Sequence, residues 1–340
     1  MSLTSTGLRR VGVGVVALSL MASVATGVAP ARAQGADLGS LTGSIVSDGS
    51  STVGPITQAI AEDFNQQAKD VKISVDISGT GGGFKRFCAA ETDVQNASRA
   101  IKPDEATACA ANGVDYYVFE VAYDGITVVT NPQNTWLTCL NVPALKQLWE
   151  KGSSVKNWSD LTPEFPSEPV ALYGPGTDSG TFDYFTEEII GKDGDIRTDF
   201  TPSEDDNVLV EGVAGDPHAL GYFGFAYYEQ NRDKLAAVAV DGGDGCVLPS
   251  RETIQDGSYK PLSRPLFIYV NAKSLERPEV AGFVQFYLDN AKHVAEDVGF
   301  VDSPDQVYAD DAAKLEKALK GEGTPDSKAA PAEAAATPAA

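Results

Sequence analysis

Three short clusters of glycine and hydroxyl residues most constrain what this chain can fold into. Each stands between a predicted strand and a predicted helix. The clusters are Asp48-Gly49-Ser50-Ser51-Thr52, Gly79-Thr80-Gly81-Gly82-Gly83 and Thr177-Asp178-Ser179-Gly180-Thr181. The first turn of a helix offers free backbone N–H groups and the positive end of the helix dipole, and both favour anions. A single cluster is most often an ordinary helix cap. Three such clusters in one chain predict a binding site in which several helix N-termini surround one oxyanion.

Short apolar strands alternate with helical patterns along the chain. Residues 71–77 alternate between apolar and polar positions like a half-buried strand, whereas Ile56, Ile60 and Phe64 recur at four-residue spacing on one helix face. The repeated unit is strand, glycine turn, helix. This order predicts an α/β protein with mostly parallel sheets, in which ligands bind at the carboxyl ends of strands.

Residues 1–33 are predicted to be a signal peptide. Arg9 and Arg10 precede an apolar run, and Ala31-Arg32-Ala33 offers the small residues that a signal peptidase accepts. Polar and small residues interrupt the run, which makes a retained membrane helix the less favoured alternative. We therefore expect an exported protein, periplasmic or extracellular, that is soluble after cleavage.

Charge and composition restrict the partners. The chain has 26 Lys and Arg against 48 Asp and Glu, a formal net charge of −22, which argues against nucleic acid and anionic lipid surfaces. No Cys-x-x-Cys pair occurs, and His218 and His293 lie far apart, so we expect no metal site. We also expect a monomer without a cofactor. An anion site would have to be built locally from dipoles, hydroxyls and an arginine.

Four cysteines predict two disulfides, because their number is even and the expected compartment is oxidising. Three pairings are possible. We favour Cys88 with Cys109 and Cys139 with Cys246, since each bond then lies within one predicted domain.

The length between the leader and the end of the chain allows two domains with their own cores. From residue 322 the composition changes to Ala, Pro, Glu and Thr. Such a segment cannot bury enough apolar surface to fold, and we predict that residues 322–340 form a disordered tail.

Four motifs follow one another in the chain: Asp48-Gly49-Ser50-Ser51-Thr52-Val53-Gly54-Pro55, Ser78-Gly79-Thr80-Gly81-Gly82-Gly83-Phe84-Lys85, Asn96-Ala97-Ser98-Arg99 and Gly176-Thr177-Asp178-Ser179-Gly180-Thr181-Phe182. Together they resemble the substrate-binding proteins of bacterial high-affinity phosphate ABC transporters. The resemblance implies the two-lobed type II periplasmic-binding-protein fold, with phosphate trapped between lobes that close around a hinge. It implies lobe I at residues 43–122 plus 264–316, lobe II at residues 123–263, and ABC permease subunits as partners.

The resemblance also implies the residues that bind phosphate. Hydroxyl and backbone N–H donors are expected from both lobes. They are Ser51, Thr52, Val53 and Thr80 on lobe I, and Ser179, Gly180 and Thr181 on lobe II.

The chain departs from well-known members of that family at two points. Arg99 replaces an aspartate that accepts the proton of hydrogenphosphate, and the stretch before the third cluster lacks an arginine. We interpret the changes as compensatory, with Arg99 as the cation that forks onto the anion. A site of donors alone would bind sulfate as readily as phosphate. We therefore expect Asp124, or as second choice Asp178, to accept the proton.

Two alternatives stay open. The anion could be sulfate, molybdate or a small phosphorylated molecule. A secreted phosphatase or esterase is less favoured, because Ser179 stands in Gly-x-x-Ser-Gly spacing rather than the Gly-x-Ser-x-Gly of a nucleophile elbow. We expect no enzymatic activity.

Overall fold

The computed structural model describes residues 37–177, 179–191 and 196–329. The predicted signal peptide, Asp178 and residues 330–340 lie outside these ranges. Within them, no helix combines the length and the apolar character needed to cross a membrane.

The described strands form one large and one small sheet. They are β1 (Thr42–Gly49), β2 (Asp70–Val75), β3 (Val94–Ala97), β4 (Tyr116–Thr130), β5 (Cys139–Asn141), β6 (Ala171–Pro175), β7 (Thr201–Ser203), β8 (Ala219–Gly224), β9 (Ala236–Ala237), β10 (Ala239–Asp241), β11 (Cys246–Val247) and β12 (Ser263–Asn271). The large sheet has the order β2-β1-β3-β12-β4-β8-β6-β7, with β9 paired to β4, and the small sheet has the order β11-β10-β5.

The helices follow the strands as the sequence pattern predicts, which confirms the α/β class. They are α1 (Gly54–Gln67), α2 (Gly79–Cys88), α3 (Pro103–Ala111), α4 (Val142–Trp149), α5 (Gly180–Phe185), α6 (Asp206–Gly215), α7 (Phe225–Gln230), α8 (Arg251–Gln255), α9 (Pro278–Asp297) and α10 (Asp305–Leu319). A π-helical turn, Thr186–Ile190, extends α5.

Strand β4 runs through both of the segments that are predicted as lobe I and lobe II. From Tyr116 to Gly125 it pairs antiparallel with β12, and from Ile126 to Thr130 it pairs antiparallel with β8. Pairing is parallel farther out, between β1 and its neighbours β2 and β3 and between β6 and its neighbours β7 and β8. One continuous sheet therefore runs through both lobes, and because β12 also pairs antiparallel with β3, it is a mixed sheet rather than the mostly parallel one that the sequence predicts.

Neighbouring residues at the predicted chain crossings pack in different apolar clusters. At the first crossing, Ala122 packs in the core of lobe I and Tyr123 in that of lobe II. At the second crossing, Leu262 packs in the core of lobe II and Leu266 in that of lobe I. Val301, which follows α9, also packs in the core of lobe II, and its backbone exchanges hydrogen bonds of 2.7 and 2.9 Å with Tyr123. This third connection adds to the two crossings that the resemblance implies.

Both disulfides have the pairing favoured from the sequence. Cys88 is bonded to Cys109, which joins α2 to α3 in lobe I. Cys139 is bonded to Cys246, which joins β5 to β11 in the small sheet of lobe II.

The chain is folded against lobe I as far as residue 329, which is farther than the predicted start of the tail at residue 322. Asp326 Oδ2 accepts the Val118 N–H at 2.7 Å, and Ser327 Oγ accepts the Tyr116 N–H at 3.3 Å. Those N–H groups form the outer edge of β4. Polar side chains thus cover an edge that would otherwise be open to pairing with another strand, a role that composition alone does not reveal.

Candidate anion-binding cleft

Asp48, buried at the end of β1, holds the first two glycine clusters together. Its carboxylate accepts the Gly49 N–H at 2.7 Å and both the N–H and the hydroxyl of Ser78, at 3.1 and 2.8 Å. Arg86 completes the arrangement with an ion pair of 2.7 Å. One buried carboxylate therefore fixes the loops that lead into α1 and α2.

These loops border a cavity of about 590 Å³ between the lobes. Of the residues predicted to bind phosphate, five line it: Ser51, Thr52, Thr80, Arg99 and Gly180. The cavity is also lined by residues outside the predicted set, among them Ser50, Ser98, Asp183, Tyr184, Glu187, Glu188 and Arg264.

The first and third clusters meet across the cleft. A Cβ atom at Gly180 would lie 2.8 Å from Thr52 Oγ1 and 3.3 Å from Ser51 Oγ. The first distance is shorter than real Cβ contacts and the second is tight, so a larger residue here would require Thr52 or Ser51 to shift. Residues that are far apart in sequence therefore form opposite walls of one site.

The donors of the first cluster make local hydrogen bonds. The N–H groups of Thr52 and Val53 donate to Ser50 Oγ at 3.1 and 3.4 Å. Val53 is fully buried and does not line the cavity. Ser50 was missed in the sequence reasoning, although its place two and three residues before those N–H groups is the spacing of a helix cap.

Similar local bonds occur in the other two clusters. The Thr80 and Ser98 hydroxyls are 3.1 Å apart, and Thr80 Oγ1 accepts the Ser98 N–H at 3.2 Å. Ser179 Oγ accepts the Thr181 N–H at 3.2 Å, which makes Ser179 the cap of α5. Ser179 and Thr181 lie beside the cavity rather than on its wall.

Arg99 lines the cavity, but its guanidinium fork is occupied. Nη1 and Nη2 donate to the two carboxylate oxygens of Glu105 at 2.9 and 2.8 Å, and Nη1 also donates to the Ala100 carbonyl at 3.1 Å. Glu105 is in turn held at the start of α3, where it accepts the Lys102 N–H at 2.8 Å. The predicted phosphate cation thus forms a bidentate pair within its own lobe.

Asp124 is buried at the first crossing, with 2% of its surface exposed. Its Oδ2 atom accepts from Arg264 Nη2 and Nε at 3.2 and 3.4 Å. Burial raises the pKa of Asp124, and the charge and hydrogen bonds of Arg264 oppose that rise. Arg264, rather than Asp124, reaches the cavity.

Arg264 was missed as a site residue. The available signal was a charged side chain at the second predicted crossing, two residues before the apolar run at 266–270. The second candidate proton acceptor, Asp178, lies outside the described residues.

An acidic rim borders the same cavity on lobe II. It consists of Asp183 on α5 and of Glu187 and Glu188 on the π-helical turn. Burial and the charge of Glu187 raise the pKa of Glu188, while Arg264 opposes that rise. The cavity wall therefore carries both signs of charge.

Comparison with known proteins identifies the family. The family model of the PBP superfamily domain, the superfamily of periplasmic binding proteins, matches residues 25–291. Protein SphX of Synechocystis sp. is 52% identical over 268 residues, which cover 78% of this chain and 80% of SphX. The chain belongs to the SphX/PstS family of this superfamily. The phosphate-binding protein PstS of Staphylococcus saprophyticus is another member, 41% identical over 283 residues that cover 83% of this chain and 87% of that protein.

A solved structure agrees with this family assignment. The crystal structure of a possible phosphate binding protein from Planctomyces limnophilus is 47% identical and superposes with a TM-score of 0.79. The match covers 82% of this chain and 100% of that chain. The two-lobed fold is thus the fold of the family.

Proposed function

We propose that this protein captures inorganic phosphate between its two lobes and delivers it to the permease subunits of an ABC transporter. The observation that carries the proposal is the meeting of Gly180 with Thr52 across the cavity, which places glycine and hydroxyl clusters from both lobes around one space. The relatives add the chemical identity of the ligand, since PstS is named as a phosphate-binding protein.

Phosphate would take over donors that now make weaker local bonds. The N–H groups of Thr52 and Val53 donate to a neutral hydroxyl, Ser50 Oγ, and a charged phosphate oxygen is a stronger acceptor. The Thr52 hydroxyl, the Thr80 hydroxyl and the turn from Ser179 to Thr181 would supply further donors. Both lobes would then contribute to one ligand, and binding would favour the closed arrangement.

Export and lack of catalysis belong to the same proposal. A carrier that hands its ligand to a permease must work outside the cytoplasm, in agreement with the predicted signal peptide at residues 1–33. The protein would act by binding alone, as a monomer, and a chromogenic phosphate ester should not be turned over.

Calorimetry on refolded, phosphate-stripped protein tests the proposed ligand. Phosphate, sulfate and molybdate are titrated between about pH 5 and 9, a range in which phosphate changes protonation and sulfate does not. We expect phosphate to bind more tightly than the other two anions. Stronger binding of sulfate or molybdate would refute phosphate capture, and hydrolysis of the ester would refute the non-enzymatic assignment.

A further inference from the structure

Arg264 lies at the point where the chain returns from lobe II to lobe I. In the antiparallel register of β12 and β4 it stands opposite Asp124, so both residues lie on the strands that join the lobes. Its side chain is 15% exposed and lines the cavity. The guanidinium is therefore largely removed from water and still accessible to a ligand in the cleft.

Three groups hold this guanidinium, one from each side of the cleft and one from the crossing. Nη2 donates to Thr52 Oγ1 of lobe I at 3.0 Å. The Tyr184 ring of lobe II lies under the guanidinium, with its centroid 3.5 Å from Cζ. Asp124 supplies the counter-charge at 3.2 Å. Thr52 and Asp124 hold the cation from lobe I and from the crossing, and the Tyr184 ring adds the contact from lobe II.

Arg264 has a guanidinium nitrogen that is available to a ligand, whereas both terminal nitrogens of Arg99 are already engaged. Asp124 engages Arg264 through a single oxygen, Oδ2, and within the described ranges Nη1 of Arg264 donates no hydrogen bond. Arg99, by contrast, uses both terminal nitrogens on the two oxygens of Glu105. A guanidinium binds an oxyanion best when its fork has free N–H groups.

We propose that Arg264, positioned by Asp124 and Tyr184, is the cation that binds the anion in the cleft, and that Arg99 serves lobe I by pairing with Glu105. The proposal rests on phosphate capture as the function. Arg264 would then take the role of the arginine that is missing before the third cluster. It lies at the hinge, where its guanidinium contacts both lobes. Asp124 then acts through Arg264, as a positioning residue rather than as the acceptor of the phosphate proton.

The two ion pairs allow a charge-matched test. Arg264→Gln with Asp124→Asn removes one pair, Arg99→Gln with Glu105→Gln removes the other, and neither double variant changes the net charge. Because hydrogen bonds to charged groups are worth a factor of about 10 to 100 each, we expect the first double variant to weaken phosphate binding by about 100-fold. The second should bind phosphate within about threefold of wild type. The opposite ranking would overturn the proposal.

Arg264→Lys tests the role of Arg264 even if the double variant fails to fold. Lysine keeps the charge but lacks the planar fork, so phosphate affinity should fall by about tenfold with little change in thermal stability. An affinity equal to that of wild type would count against Arg264 as the ligand.

Asp124→Asn separates positioning from proton acceptance. If Asp124 only positions Arg264, Asp124→Asn should weaken the binding of phosphate and of sulfate by similar factors. The substitution should have no effect on binding when Arg264 is already replaced by glutamine. Collapse of the phosphate-to-sulfate affinity ratio, or an unchanged effect in the Arg264→Gln background, would instead make Asp124 an independent ligand.

The same titrations keep the two proposals apart. Failure of wild-type protein to bind phosphate would refute phosphate capture, and the variants would then be titrated with sulfate or molybdate. Tight phosphate binding by wild type together with unimpaired binding by Arg264→Gln would refute the role of Arg264 alone.

Discussion

Replacing Gly180 by alanine should hold the lobes apart without harming the fold. The added Cβ would lie 2.8 Å from Thr52 Oγ1 and 3.1 Å from Thr52 N. Ordinary contact begins near 3.4 Å, so the two walls would have to separate by a few tenths of an ångström. Overpacking of this kind costs about 1–3 kcal/mol. Only the closed form bears that cost, and phosphate affinity should therefore fall by about 5- to 150-fold.

Stability should not fall with affinity. Gly180 is the first residue of α5 and has no positive φ, so alanine suits its backbone and favours the helix by up to about 1 kcal/mol. Calorimetric phosphate titration and thermal unfolding of the ligand-free protein measure the two effects separately. Gly215→Ala is the matched control in the same lobe, because nothing lies within 4 Å of its added Cβ. Wild-type phosphate affinity in Gly180→Ala would refute the argument that the clusters touch in the bound state.

Three further predictions concern stability. Burial raises the pKa of Glu120 to about 7 from its ordinary value near 4.5, so the stability it contributes is present below pH 4.5 and is lost as the pH rises through 7. Glu120→Gln should remove up to about 3 kcal/mol of this pH dependence from the free energy of unfolding, measured by chemical denaturation at a series of pH values. The same pH dependence in wild type and variant would contradict this prediction. Replacing Cys139 and Cys246 by alanine opens a loop with a sequence separation of 107; chemical denaturation should show a loss of about 3–5 kcal/mol, and a loss below 1 kcal/mol would contradict the loop-closure argument. Deleting residues 322–340 uncovers the Val118 N–H on the edge of β4, so amide exchange there should accelerate at least about tenfold, whereas unchanged exchange would show that the segment does not protect this edge.

Local sequence patterns were sufficient where the relevant contacts are local. The strand, glycine turn, helix unit around residues 71–88 predicted both the α/β class and the loops of lobe I. The orientation of Glu105 toward the Lys102 N–H was also readable, because Pro103 marks a helix start and a glutamate three residues after the cap turns back toward it. Binding of the anion by Arg99 stays a prediction.

Contacts between segments that are far apart in sequence could not be read in the same way. Thr52 and Arg264 are 212 residues apart, and their hydrogen bond depends on the place that β12 takes in the sheet beside β3. Asp124 was singled out as a carboxylate at the crossing, yet its direction toward Arg264 depends on the register of β4 with β12. No periodicity or motif encodes that register.

The insertion of β12 between β3 and β4 sets the order in which the chain can become structured. Apart from Val301, the core of lobe II comes from one stretch of the chain and can form once that stretch has been synthesised. Lobe I must wait for β12 and for α9, which packs against α1. Until then β3 and β4 each have a bare edge, the situation in which chains pair with the wrong partner. Lobe I is consequently the first lobe to be synthesised and the last to complete its fold. Aggregation during synthesis or refolding should begin at its unpaired strand edges.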